Sequence, residues 1–260
     1  MGAGVEPSDR GFALSHKRRS HRQLAADRAI DGFLYDPISG GFVDSSPRGK
    51  SASVGSRTLV PVKFPRDLDS RPVEDEIIEL VRGAQGRIQA FQDRWDQPQI
   101  EQFVASDFEL VYRVLRWIVD ERLMTGRRML EWGCGFAVVA ALGAKLGLDV
   151  TGIEAERRLL EQAKGTLQDF AVPVELVWGN FLPPGAEALS PNPDFPSLGH
   201  EVPSAYAQMA SDLDDFALVF GYPWPGEWVF HERVFARYGA KGGLLVLFYG
   251  PNDVRVFRNE

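Results

Sequence analysis

The run Met129-Leu130-Glu131-Trp132-Gly133-Cys134-Gly135-Phe136-Ala137, followed by Gly152-Ile153-Glu154, constrains this chain more than any other stretch. It reads as a strand, a glycine turn, a helix and a second strand ending in a carboxylate. Gly133 and Gly135 remove the β-carbons that would hold a ligand away from the backbone. The turn then delivers that ligand to a helix N-terminus, whose free N–H groups favour electron-rich atoms. Glu154 lies 21 residues beyond Gly133, the spacing at which a second parallel strand brings a carboxylate to ribose hydroxyls. The residues describe a nucleotide-handling unit.

These residues resemble motif I of the class I S-adenosylmethionine-dependent methyltransferases, an acidic residue, any residue, then Gly-x-Gly-x-Gly. The resemblance covers about residues 106–258. It implies a Rossmann-like fold, S-adenosylmethionine as cofactor and methyl transfer to an unidentified acceptor, expected to be a small molecule. Carried over, Glu131 lies near the methionine end of the cofactor, Gly133, Cys134 and Gly135 underlie it, and Glu154 grips the ribose. Ala137 stands where the family usually has its third glycine. A nicotinamide-binding unit shares the strand, turn, helix and distal acid, but its fingerprint wants Gly or Ala three positions after the second glycine, where this chain has Val138. It also gives no reason for Glu131.

The elements around the motif alternate as in a doubly wound α/β sheet that is mostly parallel. Strands are expected at 128–132, 149–153, 174–178, 216–220 and 243–249, with a final antiparallel strand at 254–258. The family usually continues through another helix and strand, so the C-terminal sheet edge is expected to be shortened, either closed differently or left short. The α/β domain spans 127–260 and is preceded by helices in 71–126. In the first of these, Ile77, Val81, Ala84, Ile88, Phe91 and Trp95 form an apolar stripe at helical spacing. About three heptads of stripe favour packing on the chain's own domain over the seam of a homodimer through 72–95. Ser106 and Glu109 read as a capping box opening a second helix that ends near Gly126.

Residues 1–70 are rich in Gly, Ser, Pro and Arg and read as an irregular, mobile arm. Within it, the β-prone runs at 32–35 and 41–43 flank a turn and suit a hairpin. The patch His16 to Arg22 is locally basic, while the whole chain carries a net charge of −7, which argues against a general nucleic-acid partner. One cysteine excludes an internal disulfide framework, and four scattered histidines form no metal-binding pattern. No long apolar run or leader h-region is evident, so a cytoplasmic protein without membrane contact is expected.

Three further segments fall at the ligand-binding edge of such a sheet. Asn180 and Phe181 follow the third strand of the binding unit, where the resemblance places an adenine contact. Asn180 departs from the family's usual acid but offers an amide oxygen, and Phe181 could cover the ring. Gly221-Tyr222-Pro223-Trp224 follows the next strand on the acceptor side, where some amino- and base-methylating relatives carry a polar residue before Pro-Pro. That polar holder is missing here. Tyr222, Glu227 and His231 are the candidates for a general base. The Pro-rich connection 183–212 leaves the same edge and reads as a lid or a loose loop. The absence of a convincing base keeps a non-catalytic, cofactor-binding scaffold open as an alternative, with a nicotinamide oxidoreductase a more distant one.

Overall fold

The computed structural model describes residues 33–36, 41–44, 57–94, 106–199 and 201–260. Contacts divide the chain into Met1–Val54 and Gly55–Glu260. In the first unit, β1 (Phe33–Asp36) and β2 (Gly41–Asp44) pair antiparallel with Phe33 opposite Asp44, which is the expected hairpin. The basic patch 16–22 and Trp95 lie outside the described residues.

The second unit begins with β3 (Leu59–Pro61), followed by α1 (Asp75–Gln92) and α2 (Phe108–Asp120). The binding unit then runs β4 (Arg128–Trp132), α3 (Val138–Lys145), β5 (Asp149–Glu154), α4 (Arg157–Phe170) and β6 (Val174–Trp178). After a long connection holding α5 (Tyr206–Met209) come β7 (Leu218–Gly221), α6 (Trp228–Tyr238), β8 (Leu244–Gly250) and β9 (Asp253–Asn259). The sheet order is β3-β9-β8-β7-β4-β5-β6. Strands β4 to β8 are mutually parallel, and β9 and β3 close one side in antiparallel pairs. This is the doubly wound, mostly parallel α/β arrangement, and β7, buried at every residue, shows why such strands are continuously apolar.

Two expectations at the sheet edge need correction. Residues 59–61 belong to the sheet rather than to an irregular arm, and the edge is not left short, because β3 covers β9. Thr58 and Glu260 exchange backbone hydrogen bonds at 3.1 and 3.0 Å, and Val62 N–H donates to Val256 C=O at 2.8 Å. Pro61 is tolerated because an outermost strand has positions that need no donor. Leu68, also assigned to the arm, is buried in the core.

The helices cover the sheet as their stripes require. Ile77, Leu80, Val81, Ala84 and Ile88 of α1 are buried in the chain's own core. On α2, Val111, Val114, Leu115 and Ile118 are fully buried, each side chain contributing roughly 1.5–3 kcal/mol relative to exposure. Its N-cap is Asp107, one residue later than expected, with the carboxylate accepting Leu110 N–H at 3.1 Å. The helix stops at Asp120 rather than near Gly126, as Arg122 turns left-handed at φ 53°. No helix among the described residues is long and apolar enough to cross a membrane.

Candidate functional site

Strand β4 feeds a turn in which Gly133, Gly135 and Ala137 are all left-handed, at φ 65°, 54° and 55°. Glycine adopts this conformation freely, whereas Ala137 bears a cost of about 1–2 kcal/mol. A β-carbon on Gly133 would meet no atom within 4 Å, so the turn floors open space. Beneath it, Cys134 N–H donates to Ile153 C=O at 2.8 Å, and its sulfur would stand 3.0 Å from a β-carbon on Gly152. Cys134 is thus a filler between β4 and β5, and burial pushes its thiol pKa well up. The space above is a cavity of about 480 Å³, within the usual range for small-molecule sites. It extends along the carboxyl ends of β6, β5, β4, β7 and β8, across the point where the winding reverses, which is where open α/β sheets bind ligands.

Two buried carboxylates define the side toward β5. Glu131 accepts the Ala140 N–H at 2.7 Å, taking over the helix cap that the Ala137 side chain cannot supply. Burial holds its carboxyl well above the ordinary range; the Ala140 N–H opposes this and the charge of Glu154 adds to it. Glu154 accepts Gly135 N–H and Glu156 N–H, both at 2.8 Å, one on each oxygen. Burial raises its pKa as well, against the pull of those backbone donors. Both line the cavity. Their immediate work is therefore to fix the glycine turn, and each oxygen retains a second lone pair for a ligand. The N–H groups of Val138 and Val139, which also line the cavity, fall in the first turn of α3 without intrahelical acceptors.

Toward β7 and β8 the walls are aromatic. Trp132 stacks on Phe181 with centroids 5.3 Å apart, and His231 lies 5.2 Å from Phe181 and 5.7 Å from Trp132. Trp132 N–H donates to the Tyr206 hydroxyl at 3.1 Å, which locks that wall to α5. Tyr222 packs edge-on against Phe248 at 4.8 Å, and burial raises its phenol pKa. His231 is buried, and desolvation lowers its pKa to about 4 although the Glu227 carbonyl beside it opposes the shift. Its Nδ1 lies 3.1 Å from that carbonyl oxygen. The contact assigns the proton to Nδ1 and leaves the lone pair on Nε2.

The residues expected from sequence separate into groups. Glu131, Gly133, Cys134, Gly135, Glu154, Asn180, Phe181, Tyr222, Pro223, Trp224 and His231 all line the cavity, whereas Gly221 and Glu227 do not. Gly221 ends β7 beneath Trp132 and Leu247. Glu227 is fully buried, accepting Ser197 N–H at 3.0 Å and the Ser197 hydroxyl, so its carboxylate is a latch rather than a base. Asn180 is the knot of the connection after β6. Its N–H and C=O pair with Pro203 and Ala205, and its amide oxygen accepts Leu182 N–H at 3.0 Å. Phe181 turns toward Trp132 and His231, a wall contact not anticipated from an adenine role.

The connection itself is stapled. Besides the Ser197 latch, the Ser204 hydroxyl donates to Leu182 C=O at 2.7 Å. Sequence reasoning missed Trp132, Ser197 and Tyr249 as cavity-lining residues. Tyr249 was accessible from topology, near the carboxyl end of β8, and Trp132 sits inside the glycine motif. Ser197 carries no signal, because a loop residue's partner 30 positions away leaves no pattern.

No family model matches the sequence, and no curated protein sequence is detectably similar. Solved structures are similar in fold. They include a methyltransferase from Geobacter sulfurreducens, 16% identical, with a TM-score of 0.42 over 74% of this chain and 95% of that one. The O-methyltransferase from Bacillus cereus in complex with SAH is 14% identical, with a TM-score of 0.42 over 68% and 66%. The SAH-bound Podospora anserina methyltransferase PaMTH1 is 12% identical, with a TM-score of 0.40 over 72% and 71%.

Proposed function

We propose that this chain is an S-adenosylmethionine-dependent methyltransferase. The observation that carries the reading is the cavity at the sheet's reversal point, floored by a left-handed glycine turn and faced by Glu131 and Glu154. The residues present suit the cofactor. Glu131 and Glu154 offer carboxylate partners for its cationic groups and ribose hydroxyls, the first-turn N–H groups of Val138 and Val139 suit its carboxylate, and Gly133 leaves its seat unfilled. When bound, the cofactor supplies an electrophilic methyl group on a sulfonium with a good leaving group.

The protein's part is placement and, for a protic acceptor, proton removal. Positioning alone can lower a barrier by roughly 7–11 kcal/mol. Of the three base candidates, Glu227 is engaged with Ser197, and Tyr222 is held more firmly protonated by burial. His231 is neutral at pH 7, lines the cavity and has a fixed tautomer. A weak base suffices, because a hydroxyl becomes strongly acidic as its oxygen acquires a methyl group.

Calorimetric titration with S-adenosylhomocysteine and with NAD tests the cofactor assignment. Micromolar binding of the first, near −8 kcal/mol, and none of the second is expected. Binding of NAD instead would favour the oxidoreductase reading. Cofactor binding with no turnover of any acceptor would favour the scaffold.

A further inference from the structure

The cavity's lining says what kind of acceptor it admits. Among the described residues, that lining contains three carboxylates, Glu131, Glu154 and Glu156, and no Lys or Arg. The side chains that line the cavity therefore offer the charge of an anionic acceptor no cationic partner to replace water. Phosphate esters, acyl carriers bearing phosphates and nucleic-acid backbones are all disfavoured by this one feature.

The side toward β7 and β8 narrows the class further. Trp132, Phe181, Tyr222 and Trp224 line it, Trp132 and Phe181 stacked on each other, and aromatic rings suit a planar ligand in offset or edge-on contact. The polar groups among them are mostly engaged. The Ser197 hydroxyl donates to Glu227, and the Tyr249 hydroxyl donates to Glu232 at 2.6 Å. Among the described residues His231 Nδ1 is the ring nitrogen with a partner, and Nε2 is left to take a donor from a ligand in the cavity that His231 lines. A neutral amine attacks through its lone pair without prior loss of a proton, whereas a hydroxyl gains from a base beside it.

Building on the proposed methyl transfer, we infer that the acceptor is an uncharged aromatic hydroxyl compound whose O–H points at His231 Nε2. The acceptor oxygen bonds to the methyl carbon as the carbon–sulfur bond breaks, its electron pair remaining on sulfur. The hydroxyl proton passes to His231 Nε2 and then to solvent. The products are an aryl methyl ether and neutral S-adenosylhomocysteine.

The test uses the full chain, titrated calorimetrically with 2-naphthol and with 2-naphthyl phosphate, each with and without saturating S-adenosylhomocysteine. 2-Naphthol should bind at least about tenfold more tightly than its phosphate ester. Equal affinity, preference for the ester, or no binding of 2-naphthol in either condition overturns the inference. Retained naphthol binding without any binding of S-adenosylhomocysteine instead overturns the cofactor assignment and leaves the acceptor class standing. With S-adenosylmethionine added, 2-methoxynaphthalene should form, and H231Q should slow it about 100-fold while changing naphthol affinity less than about threefold. Absence of the ether from wild type, or an undiminished rate in H231Q, refutes the role given to the hydroxyl and to His231.

Discussion

Replacing Glu131 by Gln tests the electrostatics of the cavity floor with almost no change of shape. The amide retains a carbonyl oxygen for Ala140 N–H, so α3 stays capped. What disappears is a carboxylate whose charge is disfavoured first by burial and then by Glu154. A carboxyl whose folded pKa exceeds its unfolded value stabilises the fold below the unfolded pKa and loses that contribution as pH rises through the folded one. The wild-type chain without ligand therefore loses stability from Glu131 as pH climbs from about 4.5, and E131Q does not. Every tenfold difference in proton affinity is worth ~1.4 kcal/mol, and each kcal/mol shifts Tm by about 2–4 °C in a domain of this class of size. A cationic ligand reverses the balance. Opposite charges 4–8 Å apart at an effective dielectric near 20 attract by roughly 2–4 kcal/mol, part of which desolvation removes. E131Q should accordingly weaken S-adenosylmethionine by about 1–3 kcal/mol, or roughly 5- to 150-fold, and weaken S-adenosylhomocysteine, which lacks the sulfonium, distinctly less. Scanning calorimetry at pH 5 and 8, with titration of both ligands at pH 8, measures the two effects. A variant less stable than wild type at pH 8, or equal losses for the two ligands, would refute the reasoning.

Further outcomes follow from the same geometry. E154A should lower cofactor affinity by about 1–3 kcal/mol and also lower Tm, because two backbone donors lose their acceptor; unchanged values in titration and melting would contradict both roles. His231 has a folded pKa below its unfolded value, so it adds stability above pH 6.5 that is lost as pH falls toward 4. H231Q should shrink that acid-side loss, whose ceiling is about 3 kcal/mol, in melts across pH 4–7. Replacing Ala137 with Gly relieves a left-handed alanine and should raise stability by up to ~1 kcal/mol after the added flexibility of the unfolded chain is counted, read by urea denaturation. A chain starting at Val62 loses β3 and exposes β9, and should have a measurably lower Tm than the full-length protein.

Much of the binding half of this fold was legible because its signals are local. Alternating apolar strands and amphipathic helices fix β4 through β8 to within two residues, and the glycine motif marks a turn that needs left-handed backbone. Ala137 is informative in this respect: the resemblance expected glycine there, and the structure holds it at φ 55°. Long-range pairings were not legible. Nothing in Leu59-Val60-Pro61 announces that β9 is its partner nearly 200 residues away. Likewise Glu227 reads as a first-turn helix carboxylate until the fold brings Ser197 onto it. Asn180 could be read as a ligand contact or a turn residue, and its bonds to Leu182, Pro203 and Ala205 show the turn use.

The central claim is that the hollow above Gly133 is a seat for a sulfonium nucleoside. A crystal of the full chain grown with S-adenosylhomocysteine tests it most directly. The account predicts the thioether and ribose over the 133–135 turn, with Glu154 within hydrogen-bond reach of the sugar hydroxyls. Density for the ligand anywhere else, or a hollow filled by the chain's own side chains in crystals that contain the ligand, would contradict it.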